Sequence, residues 1–394
     1  MAPRTDPVEL ARDLIRCRSV TPDDSGAMDV VETALSTLGF ECHRLTLGEA
    51  GDPPIENLYA RLGTEGPNLC FAGHTDVVPP GDEADWTHPP FAAEIHDGIL
   101  YGRGAVDMKG AVASFIAAVG RMATSLAGPD GRWTPSGFSL SLLITGDEEG
   151  PAFNGTRRVL EWLADRGERI DACVVGEPTN ATRIGDTMKI GRRGSMSGFL
   201  SVEGAQAHAA YARSEDNAVH RMIALLHALT AAPIDEATDH FDPTSLQVVT
   251  VDVGNPTVNV VPPRAAATIN TRFNDRHTSA SLQALICEKL DAVDRDYAIR
   301  WHVSGENFLT EPGVFTELVA SSVADATGSR PAYSTSGGSS DARFIRHHCP
   351  VVEFGLNNAT IHKTNEQTPV ADLEALTAVY QALITRVARG EPLV

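Results

Sequence analysis

Short apolar runs alternate with amphipathic stretches through the first half of the chain. Asn68-Leu69-Cys70-Phe71-Ala72, Leu140 to Thr145 and Ala172-Cys173-Val174-Val175 are nearly continuous apolar segments, the pattern of strands buried on both faces. Between them, Gly110 to Met122 places Val112, Phe115, Ile116 and Val119 on one helical face, and Thr156 to Arg166 forms a further helix. Val8 to Ile15 is amphipathic at helical spacing. This alternation predicts an α/β layer with a largely parallel sheet.

The rhythm changes near Gly194. Ser197 to Val202, Leu246 to Val253, Ala265 to Phe273 and Tyr297 to Val303 read as strands, with helices over Ala218 to Ala232 and Ser279 to Val293. The order β-α-β-β-α-β predicts a ferredoxin-like unit inserted into the first domain. After Gly305 the earlier pattern returns, with a helix over Val314 to Ala326, a strand over Val351 to Phe354 and a closing helix over Asp372 to Ala388. The expected plan is a discontinuous catalytic domain, 1–193 and 306–394, carrying a second domain at 194–305.

A chain of 394 residues has room for two such cores. The net charge of −20 opposes a sequence-independent grip on nucleic acid, so no nucleic-acid partner is expected. No apolar stretch approaches a membrane span, and Met1 to Pro7 followed by an amphipathic helix lacks the apolar core of a secretory leader. A cytoplasmic, membrane-free protein is the expectation. The six cysteines are scattered without a Cys-x-x-Cys pair, which argues against a disulfide framework or a thiolate zinc site.

Polar residues of metal-ligating type recur where the strand-like runs stop. Gly73-His74-Thr75-Asp76 follows one run, Asp147-Glu148-Glu149 another and Gly176-Glu177-Pro178 a third; Asp107 precedes the Ala-rich helix, and His362 follows the 351–354 strand. The carboxyl ends of strands in an open α/β sheet share one crevice, so these residues can meet. Two histidines and several carboxylates suit zinc, cobalt or manganese, and with one bridging carboxylate the set suffices for two ions. Acids crowded at a strand exit are costly without a cation. If the chain stays extended there, Glu148 and Glu149 face opposite ways and can hold different roles. His74 and Asp76, two apart, then face the same way, which lets Asp76 orient the imidazole through its second nitrogen. His88, His96, His277, His347 and His348 read as surface or satisfied core residues.

Gly73-His74-Thr75-Asp76-Val77-Val78-Pro79, Gly102-Arg103-Gly104-Ala105-Val106-Asp107-Met108-Lys109-Gly110, Asp147-Glu148-Glu149 and Gly176-Glu177-Pro178 together resemble the M20 peptidase family of co-catalytic zinc amidohydrolases and aminopeptidases. Gly191 to Ser195, Thr244 to Gln247, Asn259 to Pro262, Gly337 to Phe344 and Thr360 to Glu366 narrow the resemblance to members that remove a succinyl group from a diamino acid, N-succinyl-LL-2,6-diaminopimelate, rather than those acting on acetylornithine or other acylamino acids. The resemblance implies a zinc-aminopeptidase-like domain with a mixed, mostly parallel sheet flanked by helices, plus a lid and dimerisation domain. It implies two Zn2+ per subunit, replaceable by Co2+, with His74 and Glu177 on one ion, Glu149 and His362 on the other, and Asp107 bridging. Glu148 would be the general acid/base and Asp76 the partner of His74. His208 would reach the active site of the other subunit of a homodimer and stabilise the oxyanion. Arg192, Tyr211, Asn259, Arg272, Ser339 and Asn358 match substrate-contacting positions. Ala207 and Ala212 depart from the family's usual glycine and proline beside the His208 to Tyr211 loop.

Overall fold

In the computed structural model, which describes residues 5–48, 51–128 and 133–394, nearly every residue of Asn68–His74 and Ser139–Thr145 is buried. Such strands need cover on both faces, and helices supply it. These two strands are parallel neighbours at the centre of an eight-stranded mixed sheet. Its order is Glu41–Leu47, Ile55–Leu62, Ser139–Thr145, Asn68–His74, Ala172–Val175, Val351–Glu353, Thr187–Lys189, Ala332–Ser334. The first two strands run antiparallel, and the pairs on either side of Asn68–His74 are parallel. The described part of the leader reading begins at Thr5, because residues 1–4 lie outside the described set.

Helix Pro7–Arg16 starts on an Asp6 cap, whose carboxylate accepts from the amides of Val8 and Glu9. Lys109–Leu126, buried over most of its length, packs with Pro7–Arg16 and Val370–Ala388 on the sheet. Phe71, Phe115 and Tyr380 meet there, with ring centroids 4.5–5.5 Å apart, and the Tyr380 hydroxyl donates to the Phe354 carbonyl.

By contact density the chain forms two units: Met1–Ile190 with Thr310–Ser334 and Ser340–Val394, and Gly191–Leu309 with Thr335–Ser339. Arg192 and Ser339 therefore belong to the second unit. The long elements of that unit follow the order β-α-β-β-α-β, and its four-stranded antiparallel sheet is ordered Ser245–Asp252, Arg264–Phe273, Gly194–Glu203, Ala298–Gly305. Arg264–Phe273 alternates strictly between buried and half-exposed positions, as a sheet with one covered face requires. Helices Ala218–Thr230 and Ser279–Asp291 cover that face, burying Met222, Leu225, Leu229, Leu282, Ile286 and Leu290 against it.

Candidate metal centre

Strand register assembles the site. His74 is paired with Thr145 and Ala72 with Val175, so the chain leaves three neighbouring strands at one edge. His74, the acids after Thr145 and Glu177 follow from that edge. Asp107 sits at the head of helix Lys109–Leu126. His362 comes from a loop and has φ 58°, a left-handed backbone that costs a β-carbon residue about 1–3 kcal/mol. Hydrogen bonds from the Ile361 amide to the Asn358 carbonyl and from the Thr360 hydroxyl to the Gln367 carbonyl hold this loop.

One carboxylate joins two imidazoles. His74 Nε2 is 3.3 Å from Asp107 Oδ1, and His362 Nε2 is 3.1 Å from Asp107 Oδ2. His362 Nε2 also lies 2.8 Å from Glu149 Oε1, and His74 Nε2 lies 3.7 Å from Glu177 and 4.0 Å from Glu148. His74, Asp107 and Glu149 offer ligand atoms all within 4.8 Å of one another, as do His74, Glu148 and Glu177. Distance alone does not divide base from ligand between Glu148 and Glu177.

The charges are arranged to draw a cation. Burial pushes the Glu148 carboxyl well above the usual carboxylate range, and the neighbouring Glu177 raises it further. Burial likewise raises Glu149, against a hydrogen bond from His362. Burial would lower the His74 imidazole, but the hydrogen bond and charge of Asp107 raise it well above its ordinary value. Hydrogen bonds to Asp107 and Glu149 push His362 up to about 10. Carboxylates that raise two imidazoles this way stabilise positive charge at the nitrogens, and a divalent ion supplies more of it. Imidazole nitrogen with carboxylate oxygen is a donor set that zinc and cobalt accept, so the residues fit such ions.

The Glu148–Glu149 pair departs from the expected extended chain. The strand ends at Thr145, and residues 148–150 form a turn. The Asp76 carboxylate shapes that turn, accepting from the Glu148 amide at 3.2 Å and the Glu149 amide at 3.0 Å, while the Thr21 hydroxyl donates to it at 2.6 Å. Asp76 does orient His74, but mainly through its backbone carbonyl, 2.9 Å from Nδ1; its carboxylate is 3.6 Å away. The Asp76 carboxylate gives three acceptor sites to two amides and a hydroxyl, and acts on the imidazole through its charge.

Sequence reasoning missed two acids. Glu366 is fully buried and accepts from Arg103 Nη1 and from the amides of Gly104, Val106 and Asp107, fixing the loop that presents Asp107. Asp341 is buried in the segment quoted above, and burial pushes it up to about 6 against the pull of Arg343. For Asp341 the signal was an acid beside the glycine pair Gly337-Gly338; Glu366 sits in a polar stretch that gives none.

Asn358 lies in the first unit, its amide donating to the Asn180 carbonyl at 2.8 Å. In the second unit, His208 pairs with Val260 in a short antiparallel ladder, its ring 5.5 Å from that of Tyr211. The Ala209 amide donates to the Asn259 carbonyl, so His208, Tyr211 and Asn259 form one exposed group. With Ala207 inside the ladder and the Ala212 amide donating to the His208 carbonyl, the two alanines are accommodated. Arg272 donates to Ser195 across its ladder and stands near Arg193, next in sequence to Arg192. Ser339 lies in the Thr335–Ser339 segment of the same unit.

Residues 70–386 match the model of Peptidase family M20/M25/M40. A succinyl-diaminopimelate desuccinylase from Rhodospirillum centenum (strain ATCC 51521 / SW) is 55% identical over 386 residues, 98% of each chain. Among solved structures, aminopeptidase PepT from Bacillus cereus ATCC 10987 superposes with a TM-score of 0.77 at 18% identity, over 98% of this chain and 99% of that one. The YXEP protein of Bacillus subtilis, named a dinuclear metal binding peptidase from the M20 family, superposes with a TM-score of 0.67 at 15% identity over 98% of each chain.

Proposed function

Because this chain belongs to peptidase family M20/M25/M40, we propose that its metal centre hydrolyses N-succinyl-LL-2,6-diaminopimelate to succinate and LL-2,6-diaminopimelate, as the name of its 55%-identical relative indicates. The chain is then a hydrolase of linear amides in diaminopimelate and lysine biosynthesis. The observation that carries the reaction type is Asp107, which turns one carboxylate oxygen to each of two imidazoles.

His74 and Glu177 would hold one ion, Glu149 and His362 the other, with Asp107 between them; Zn2+ is the assigned metal and Co2+ a substitute. When bound, such ions acidify water toward a pKa of about 7 and polarise the amide carbonyl. Glu148 is the general base. Its carboxylate takes a proton from the attacking water and delivers it to the leaving amine. Burial beside Glu177 favours the protonated form it must pass through. Asp76 keeps the two glutamates apart in function by fixing the turn between them.

Residues 1–193 and 306–394 are assigned to the catalytic domain, and 194–305 to a lid and dimerisation domain. His208 would donate to the developing oxyanion in a second copy's active site, which makes the working protein a homodimer. Arg192 and Arg272 would grip the succinyl carboxylate, since guanidinium binds carboxylate bidentately. Tyr211, Asn259, Ser339 and Asn358 would complete the substrate contacts. No helix among the described residues is long and apolar enough to cross a membrane; a cytoplasmic location is assigned on the substrate's chemistry. The test is release of free succinate from N-succinyl-LL-2,6-diaminopimelate by zinc-reconstituted protein, followed by proton NMR. No release at full metal loading would overturn the assignment.

A further inference from the structure

A second group of metal-ligating side chains lies in the first unit, built from residues that the proposed reaction does not use. Ile95–His96 and Ile99–Tyr101 form a hairpin whose turn residues, Asp97 and Gly98, have φ 50° and 77°. Positive φ at both central positions is the two-residue turn whose twist suits a hairpin, with Asp-Gly as a favoured pair. Glu94 and His96 are two apart on this extended segment, so they share a face. The Tyr101 amide donates to the Glu94 carbonyl at 2.9 Å and fixes Glu94 from the opposite arm.

His88 arrives from the preceding segment. That segment is anchored by a 2.7 Å hydrogen bond from the Thr87 amide to Asn365 Oδ1. The His88 ring stacks on His96, centroids 4.0 Å apart, and leans on Tyr101 at 4.3 Å. Both histidines converge on one oxygen: Glu94 Oε2 is 2.9 Å from His88 Nδ1 and 3.0 Å from His96 Nε2. These hydrogen bonds, His96 first, hold the Glu94 carboxyl below the usual range. The three ligand atoms all lie within 4.8 Å of one another.

We propose that His88, Glu94 and His96 form a further divalent transition-metal site, taking Zn2+ or an ion of its class and tying the hairpin to the segment before it. A tetrahedral ion with bonds of ~2.0–2.1 Å needs ligand atoms about 3.3 Å apart. The two N···O separations fall short of that by a few tenths of an ångström, which rotation of the exposed Glu94 and His96 side chains can supply. His96 is 52% and Glu94 41% exposed, so an ion can enter and water can complete its coordination. Two imidazoles and one carboxylate select zinc, copper or nickel over magnesium and calcium, which prefer all-oxygen shells.

The test is equilibrium dialysis of the full chain against a series of buffered free Zn2+ concentrations, with bound zinc counted by mass spectrometry. His96→Gln keeps a donor for Glu94 and removes an imidazole ligand; Glu94→Ala removes the shared oxygen. Each variant is expected to bind one equivalent fewer than the wild type, or to bind it at least tenfold more weakly, while still releasing succinate when loaded. Equal stoichiometry and affinity in wild type and both variants would overturn the site and reduce the cluster to hydrogen bonding alone. Because the reading is a difference between chains, it is independent of how many ions the Asp107 centre holds. Millimolar Mg2+ should not displace the extra zinc; displacement would contradict the selectivity.

Discussion

At the scale of single residues, the proposed division of labour between two adjacent glutamates rests on their different neighbours. Glu149 touches His362, whereas Glu148 is half-buried beside Glu177 and reaches His74 only at 4.0 Å. Glu148→Gln is expected to leave the zinc content unchanged and to lower turnover by about 10²–10⁴-fold, the usual worth of a positioned acid/base; metal analysis alongside steady-state kinetics checks both halves. His74, Asp107, Glu148, Glu149, Glu177 and His362 were legible in the sequence because each follows or precedes an apolar run, and strand ends share an edge. The role of the Asp76 carboxylate was not. Spacing shows that it lies on the His74 side, but only the folded turn shows two backbone amides claiming it first. Glu366 was equally hidden, since its four donors come from residues some 260 positions away.

Among elements, the long apolar runs announced themselves and the short or mixed ones did not. Lys109–Leu126 and Val370–Ala388 stand where periodicity placed them, extended by a residue or a turn at their ends. Strands Glu41–Leu47 and Thr187–Lys189 carry too few buried positions in a regular pattern to be read locally, whereas helix Ala27–Thr37 buries Ala27, Met28, Val31, Ala34 and Leu35 at helical spacing and was legible but passed over. The two strands form because neighbouring strands offer hydrogen bonds, a tertiary effect that overrides propensity. Helix Lys109–Leu126 also explains how a glycine serves the metal centre from outside it. A β-carbon on Gly110 would lie 2.4 Å from the Ala105 carbonyl and 2.7 Å from Leu356. Gly110→Ala should therefore push on the loop that carries Asp107, costing about 1–3 kcal/mol as overpacking does. Thermal unfolding should show the lower stability, and zinc dialysis a weakened centre. An unchanged melting temperature would show that the loop gives way freely.

For the whole molecule, the family relationship and the chemistry of the centre converge on amide hydrolysis, and the acyl group remains the feature that distinguishes this chain from other hydrolases sharing the fold. The proposed distinction lies in arginines rather than in the metal ligands. Arg272 is held by Ser195, and burial, with the nearby charge of Arg193 adding to it, lowers the Arg272 guanidinium below its ordinary value. A carboxylate gripped by Arg272 and Arg192 would offset that positive charge, and an acetyl group offers no charge to do so. A site built around a charged partner rejects the analogue lacking it by far more than a methylene's worth of binding. The decisive measurement is kcat/KM of the zinc-loaded protein on N-succinyl-LL-2,6-diaminopimelate and on N-acetylornithine, side by side. A preference for the succinyl substrate on the order of 10²-fold or more is expected if arginines grip the acyl carboxylate; equal rates, or a preference for the acetyl substrate, would contradict that grip.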